Sequence, residues 1–480
     1  MNKQNILNAS LKKIKQAGLS SDVLVFFSSL LKKIIDGDRG FISHLEDIKP
    51  LDPSKVVSIN SLSEESIVDA GKSSMKHLAV IKLNGGLGTG MGLNKAKSLL
   101  KIKDDQCYLD IIVKQILGLR SKYKVKIPLV FLNSFNTRLD TLEYLSKYDD
   151  LLTDDFPLDI IQNKFPKIRQ DNLMPADHSD DSLNWNPPGH GDLYSVLTNS
   201  GLLNKFLGKG YRYAFVSNVD NLQATIDVRL LGYMIINNVP FIIETAKRTE
   251  ADKKGGHLAQ SIIEGSLVLR ERANCPEEQL PEFENIDTFS DFSTNNIWFD
   301  LRKLKDKISE NKGVLPLDLI VNSKCNNPHI SEKLATKQDK VKVFQIETAM
   351  GSAVKLFKSS SAIRVDTNER FLPTKKIGDL FLLRSNACSL TKDSQIIWSN
   401  GCFKPLVLLD SEYKNVKDLD SICPFGYPSL KKLKRLEIRG RIIFGKDVSI
   451  EGNVSIINKG TKPVKIKEGK IINNQNLVYD

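Results

Sequence analysis

No two of the six cysteines, Cys107, Cys275, Cys325, Cys388, Cys402 and Cys423, stand at CxxC spacing. That excludes a disulfide framework and a cysteine zinc site, and it fits a reducing cytosol. The six histidines form no HExxH helix. Long apolar runs are missing too. Val23 to Leu31 is interrupted by polar residues, and nothing reaches the length that spans a bilayer. The N-terminus shows no continuous apolar core ahead of a small-residue cleavage site, so no signal peptide is expected. The net charge of +12 comes with neither an arginine-rich tail nor an aromatic-basic stripe. Nucleic acid and membrane are therefore not expected partners, and most of the lysines read as solvated surface.

What is present fits a soluble cytoplasmic chain. Its 480 residues exceed one ordinary core, so two or three domains are expected. Residues 1–75 read as a helical N-terminal region, with Leu7, Leu11 and Ile14, and then Phe27, Leu30, Leu31 and Ile34, at helical spacing. Pro50 and Pro53 break the pattern. From Leu78 strands and helices alternate. Leu78 to Leu83, Pro128 to Leu132, Leu158 to Ile161, Tyr213 to Val216 and Val239 to Ile243 read as buried strands. Leu109 to Ile116 and Thr137 to Tyr148 read as helices between them. This is the pattern of an α/β, mostly parallel, doubly wound Rossmann-like core, assigned to residues 76–385. Such sheets take ligands at the carboxyl ends of their strands. Residues 386–480 form a β-rich C-terminal domain. Leu436, Ile438, Ile442, Phe444, Val448, Ile450, Val454 and Ile456 repeat between Gly440, Gly445 and Gly452, and Val464, Ile466, Gly469 and Ile471 continue the pattern. A small β-solenoid, resembling a left-handed β-helix, and an antiparallel meander both fit.

The densest chemical signal is KLNGGLGTGMGLNKAKSLL, Lys82 to Leu100. Gly85, Gly86, Gly88, Gly90 and Gly92 follow a buried strand directly, so several N–H groups can turn toward a phosphate chain. Lys95 and Lys97 can add positive charge. A Walker loop is excluded because Ala96 precedes Lys97 and Ser98. A dinucleotide fingerprint is excluded because Met91 and Leu93 occupy its last glycine position. Two more constellations could carry chemistry, and the second stands just past a predicted strand. His190, in Pro187-Pro188-Gly189-His190-Gly191-Asp192, reads either as a donor to a sugar or phosphate oxygen or as a turn histidine. Asp220, in Ser217-Asn218-Val219-Asp220-Asn221, reads either as a Mg²⁺ ligand completed by phosphates or as the Asx cap of the next helix. No Ser/His/Asp or Cys/His nucleophile arrangement stands out.

The glycine loop resembles the nucleotide-binding loop of the eukaryotic-type UTP–glucose-1-phosphate uridylyltransferases. Seven further blocks resemble that family in the same order: PLVFLNSFNT (Pro128 to Thr137), NPPGHGDLY (Asn186 to Tyr194), FVSNVDNLQATID (Phe215 to Asp227), RTEADKKGGHLA (Arg248 to Ala259), STNNIW (Ser293 to Trp298), QIETAMGSA (Gln345 to Ala353) and RFLPTK (Arg370 to Lys375). The resemblance implies a nucleotidyltransferase that uses Mg²⁺, UTP and glucose 1-phosphate, with Lys97, Asp220 and Lys375 as catalytic residues and Asp220 as the metal ligand. It implies UTP contacts from Leu83, Asn84, Gly85, Gly86, Lys97, Gln162, Gly189, Asp220 and Lys375, with Gln162 reading uracil. It implies sugar-phosphate contacts from Gly85, Gly86, His190, Asn218, Val219, Asp220, Gly256, Asn295 and Glu347. Self-association through the C-terminal domain is a further implication. The chain departs from the family at Leu93-Asn94-Lys95-Ala96 and at Ser293, and Lys376 stands as a rival to Lys375. A pyrophosphorylase for another sugar 1-phosphate, galactose or N-acetylglucosamine, and a non-catalytic UDP-sugar sensor are the alternatives.

Overall fold

A computed structural model of the chain describes residues 2–480, apart from 154–155, 251, 328–334, 400 and 402. Its central sheet runs Val56–Ser58, Ser361–Arg364, Phe241–Lys247, Asp291–Asp300, Tyr213–Asn218, Leu78–Asn84, Leu129–Asn133, Asp159–Ile161 from edge to edge. Asp291–Asp300 runs antiparallel to both of its neighbours, and the other pairings along this order are parallel. The fold is therefore a mixed α/β one built on a large, parallel-rich sheet.

Alternation within each strand explains the two layers. Leu78 and Val80 join Phe131, Phe215 and Trp298 on one face. Ala79 and Ile81 join Val130, Val216 and Phe299 on the other. With apolar side chains buried on both faces, the strands read as continuous hydrophobic runs. Helices Tyr108–Tyr123, Arg138–Leu145 and Val228–Ile236 connect parallel or neighbouring strands, and Tyr108–Tyr123 buries Leu109, Ile112, Val113 and Ile116.

Residues 1–75 are not helical throughout. Lys3–Gln16 and Ser21–Ile35 are helices and bury Ile14, Phe27, Leu30, Leu31 and Ile34. Beyond them Ile48–Pro50 pairs with the strand His257–Ser261, and Val56–Ser58 is the edge strand of the central sheet. Backbone pairing with a distant strand decides this, and helical spacing carries no trace of it.

In the C-terminal region the pairings of Leu406–Leu409, Leu433–Arg439, Ser449–Asn458, Ile471–Asn473 and Asn476–Tyr479 are all parallel, as is Ile442–Phe444 with Val464–Ile466. Parallel register rules out a meander of hairpins. Leu436, Ile438, Ile442, Phe444, Val448, Ile450, Val454 and Ile456 all point inward and extend the core of one sheet face. The repeat slips by one residue near its end: Ile472 is buried, whereas Ile471 is 64% exposed. Among the described residues no helix is long and apolar enough to cross a membrane, and Cys107, Cys275, Cys325, Cys388 and Cys423 are free.

Candidate active site

Strand register assembles the site. Leu78–Asn84 lies between Leu129–Asn133 and Tyr213–Asn218, parallel to both, so their carboxyl ends and following loops stand side by side. On one flank Ser134 Oγ donates to Gly85 O at 2.8 Å, and Gln162 N donates to Asn133 O at 2.7 Å. A Cβ on Gly85 would stand 2.6 Å from Gln162 Oε1, so a side chain there would push the amide aside. On the other flank Val219 N donates to Leu83 O at 3.0 Å. Asn84 and Val219 are buried, at 1% and 6% exposure. The Asn84 amide donates to Asn133 Oδ1 and Thr141 Oγ1, so its side chain braces the strand ends, and Val219 packs in the core.

The loop closes on itself where Lys97 N donates to Gly86 O at 3.1 Å. Gly88 has φ +73°, and a Cβ there would meet Leu93 Cδ1 at 2.9 Å and Lys97 Cγ at 3.2 Å. Leu93 packs against the core, which gives the atypical Leu93-Asn94-Lys95-Ala96 segment a structural anchor. Lys95 is exposed; Lys97 is not. Its Nζ donates to Asp220 Oδ2 at 2.6 Å and to Thr374 O at 2.5 Å. One ammonium thus joins the glycine loop, the Asp220 turn and the segment that ends in Lys375.

Asp220 does not cap the following helix. Val228–Ile236 is capped by Asp227, whose Oδ1 accepts Arg229 N–H at 2.9 Å. The Asp220 turn is fixed by its neighbours instead. Asn221 Nδ2 donates to Arg370 O at 3.0 Å and its Oδ1 accepts Leu372 N–H at 2.8 Å. Behind them the buried Arg370 guanidinium forks onto Glu244 at 2.7 Å through both Nε and Nη2. Lys82 Nζ donates to Ser217 Oγ at 2.7 Å and Ala224 O at 2.8 Å, spanning the turn from below. Burial, helped by the positive Arg370, lowers its pKa to about 7. A lone carboxylate backed by lysines suits Mg²⁺, which takes one or two protein carboxylates and completes its shell with phosphate oxygens and water. The described residues hold no cluster of three or more His, Cys, Asp or Glu groups that could cage a metal without substrate.

The opposite wall carries His190. Its Nδ1 accepts Met350 N–H at 2.9 Å, which leaves the ring proton on Nε2. Burial lowers its pKa to about 4, so it is a neutral donor at physiological pH. We expect His190 to contribute no ionisation to the kcat/KM profile from about pH 6 to about pH 8. Profiles of the wild type and His190→Asn should differ by a constant factor there, and an inflection near the ordinary histidine value that the variant lacks would overturn the assignment. Gly189 has φ +78°, and a Cβ there would stand 2.4 Å from Thr348 O. Asn295 holds φ +59°, a costly conformation for a residue other than glycine. The register between Phe241–Lys247 and Asp291–Asp300 shifts beside it, and Asn295 Nδ2 donates to Asn218 Oδ1 at 2.9 Å. Glu347 accepts Asn322 Nδ2–H at 3.1 Å, and burial raises its carboxyl pKa.

One residue escaped the sequence reading. A Cβ on Gly256 would stand 2.5 Å from Glu271 Oε2. Burial raises the Glu271 pKa, and the positive charge of Lys375 opposes that shift, which puts Lys375 in its electrostatic reach. Lys375 is exposed, and both Lys375 N and Lys376 N donate to Asp379 Oδ2. Only the contact with Gly256 could have marked Glu271, and that contact joins two strands of a hairpin.

A family model described as UTP–glucose-1-phosphate uridylyltransferase matches residues 25–451. A probable UTP–glucose-1-phosphate uridylyltransferase of Schizosaccharomyces pombe is 33% identical over 94% of this chain and 86% of its own length. The UTP–glucose-1-phosphate uridylyltransferase of Encephalitozoon cuniculi is 36% identical over 88% of this chain and 82% of its own. Among solved structures, the UDP-glucose phosphorylase of Trypanosoma brucei is 39% identical, with a TM-score of 0.89 over 99% of this chain and 100% of that one. A mutant of the Leishmania major UDP-glucose pyrophosphorylase, in complex with UDP-glucose, is 35% identical, with a TM-score of 0.90 over 99% of both chains.

Proposed function

The chain belongs to the UTP–glucose-1-phosphate uridylyltransferase family, and from that premise we propose that the cleft at the strand ends holds UTP and glucose 1-phosphate for direct uridylyl transfer. The enzyme makes UDP-glucose and pyrophosphate from these substrates. A phosphate oxygen of glucose 1-phosphate attacks the α-phosphorus of UTP. The new O–P bond forms as the bond to the β-phosphate breaks, and pyrophosphate leaves in line. The attacking oxygen is already an anion, so no protein nucleophile or strong base is required. Positioning and charge neutralisation carry the acceleration.

The observation that carries this reading is the Lys97 ammonium, 2.6 Å from Asp220 and 2.5 Å from Thr374 O. It gathers three distant motifs around one point of charge. Backbone N–H groups of Gly85 and Gly86 cradle the phosphates, with Leu83 and Asn84 leading the loop to them and Lys97 and Lys375 adding positive charge, and Gln162 and Gly189 receive the uracil. Asp220 would hold a Mg²⁺ ion, which when bound would supply further positive charge at the reacting phosphates. His190 Nε2 donates to the sugar phosphate, and Asn218, Gly256, Asn295 and Glu347 line the sugar. We add Glu271, a half-buried carboxylate able to accept from sugar hydroxyls.

Pyrophosphate release tests the reading with a panel of glucose, galactose and N-acetylglucosamine 1-phosphates. Glucose 1-phosphate is expected to dominate. In Glu271→Gln its KM should rise by about tenfold, as for loss of a hydrogen bond to a charged group, with the KM for UTP unchanged. A rise in both constants would remove Glu271 from the sugar pocket.

In the same reading, residues 76–385 are the catalytic domain, 1–75 an N-terminal region whose helices are Lys3–Gln16, Ser21–Ile35 and Glu65–Ser74, and 386–480 a β-rich domain that contains a small β-solenoid. Parallel pairing from Leu406 onward and inward-facing Ile and Leu rows support the solenoid, and the antiparallel pair Cys388–Leu390 with Ile396–Trp398 precedes it. Ile471 and Val478 stand exposed near its end, which is an apolar surface suited to self-association.

A further inference from the structure

Asp192 ends the motif that begins at Pro187, and the transfer chemistry leaves it without a task. It is fully buried. Its Oδ2 accepts Asn163 N–H at 2.6 Å and its Oδ1 accepts Asn163 Nδ2–H at 2.7 Å. Asn163 directly follows Gln162, and Asp192 lies two residues after His190. One carboxylate thus ties the loop proposed to face the base to the loop proposed to face the sugar phosphate.

The tie matters because of what a glutamine amide is. Its oxygen and nitrogen occupy nearly the same shape, and a half-turn exchanges acceptor for donor. Uracil and cytosine differ by that same exchange at their Watson–Crick edges. A loosely held glutamine can therefore read either base, whereas a fixed one reads only the base its orientation suits. Gln162 is hemmed in by Gly85 on one side and bonded through its backbone to Asn133 O. The backbone on its other side is held through Asn163, which Asp192 grips, so the place from which the amide reaches the base depends on that grip.

We infer that Asp192 is a positioning residue for base recognition, whose two-pronged hold on Asn163 fixes the Gln162 amide relative to His190 and so favours UTP over CTP. This rests on the proposed reading of Gln162. Burial raises the Asp192 pKa to about 6, and the two bonds from Asn163 work against that rise. The carboxylate is thus mostly ionised at neutral pH and able to accept both hydrogens.

The test measures pyrophosphate release by the full chain with UTP and with CTP. Gln162→Ala comes first: if its UTP preference equals that of the wild type, the uracil reading of Gln162 falls, and the inference with it. Given a loss there, Asp192→Asn should raise the KM for UTP about tenfold and lower the UTP-over-CTP preference about tenfold, with kcat changed less than about threefold. The introduced amide has one acceptor oxygen in place of two and carries no charge, so the two-pronged charge-assisted grip is lost even where the Asn163 amide turns over to accept from it. Combining Asp192→Asn with Asn163→Asp reverses the polarity of the side-chain bond and should restore the preference to within about threefold of the wild type. Should Asp192→Asn fail to fold, Asn163→Ala removes one prong and is expected to lower the preference in the same direction. Unchanged preference in the single variants overturns the inference. So does a loss that the combined variant fails to restore, since that is the signature of a merely structural carboxylate.

Discussion

Asp220→Ala will lose UDP-glucose synthesis by on the order of 10³-fold or more while the protein stays folded. The carboxylate is the one protein group proposed for the metal, and the described residues hold no cluster of three or more His, Cys, Asp or Glu groups that could hold it instead. The turn that presents it does not depend on it. Asn221 binds Arg370 O and Leu372 N, and Val219 N binds Leu83 O, all without Asp220. Lys97 loses an ion-pair partner but keeps its bond to Thr374 O. The two side chains are only 16% and 15% exposed, so removing the carboxylate leaves the Lys97 charge partly buried and costs some stability, which thermal unfolding reads. Pyrophosphate release and thermal unfolding check both halves. Asp220→Asn adds a control of nearly the same shape without the charge and should be almost as inactive. Near-normal turnover in either variant removes Asp220 from the metal site.

Lys97→Met is expected to lower kcat/KM by about 10² to 10³-fold. Methionine keeps much of the unbranched stem that packs against Gly88, so the loop retains its shape. Lys97→Arg should not restore activity. The planar guanidinium cannot occupy the point between Asp220 Oδ2 and Thr374 O that a compact ammonium fills. Single-turnover kinetics locate the loss: a defect in the chemical step fits charge neutralisation at the α-phosphate, whereas a defect confined to UTP affinity would assign Lys97 to binding alone. A value within tenfold of the wild type would remove it from the catalytic set.

Some elements were legible because their signal is local. Leu78 to Leu83 is an unbroken apolar run that ends in glycines, and it forms a buried strand with the loop directly after it. The helices around Leu11 and Leu30 follow from spacing alone. Ile48–Pro50 and Val56–Ser58 were missed because three-residue strands are made by their partners, and those partners lie far along the chain. Asp227 rather than Asp220 caps the next helix, since the turn between them occupies more residues than the motif suggested. Glu271 looked like any surface acid until a hairpin set it against Gly256.

By itself the sequence determined the glycine-rich loop of Lys82 to Leu100, the strand–helix alternation and, through its motifs, the family. These depend on glycine, on apolar periodicity and on residue order, all properties of short stretches of chain. The tertiary structure decided which charges meet. Lys97 reaches Asp220 across 123 residues and Thr374 across 277, and Asp192 reaches Asn163 across 29. Those meetings follow from the parallel register that aligns strand ends and from loops packed over them. No single segment contains that information, because a hydrogen bond between distant residues exists only once the strands between them have found their order.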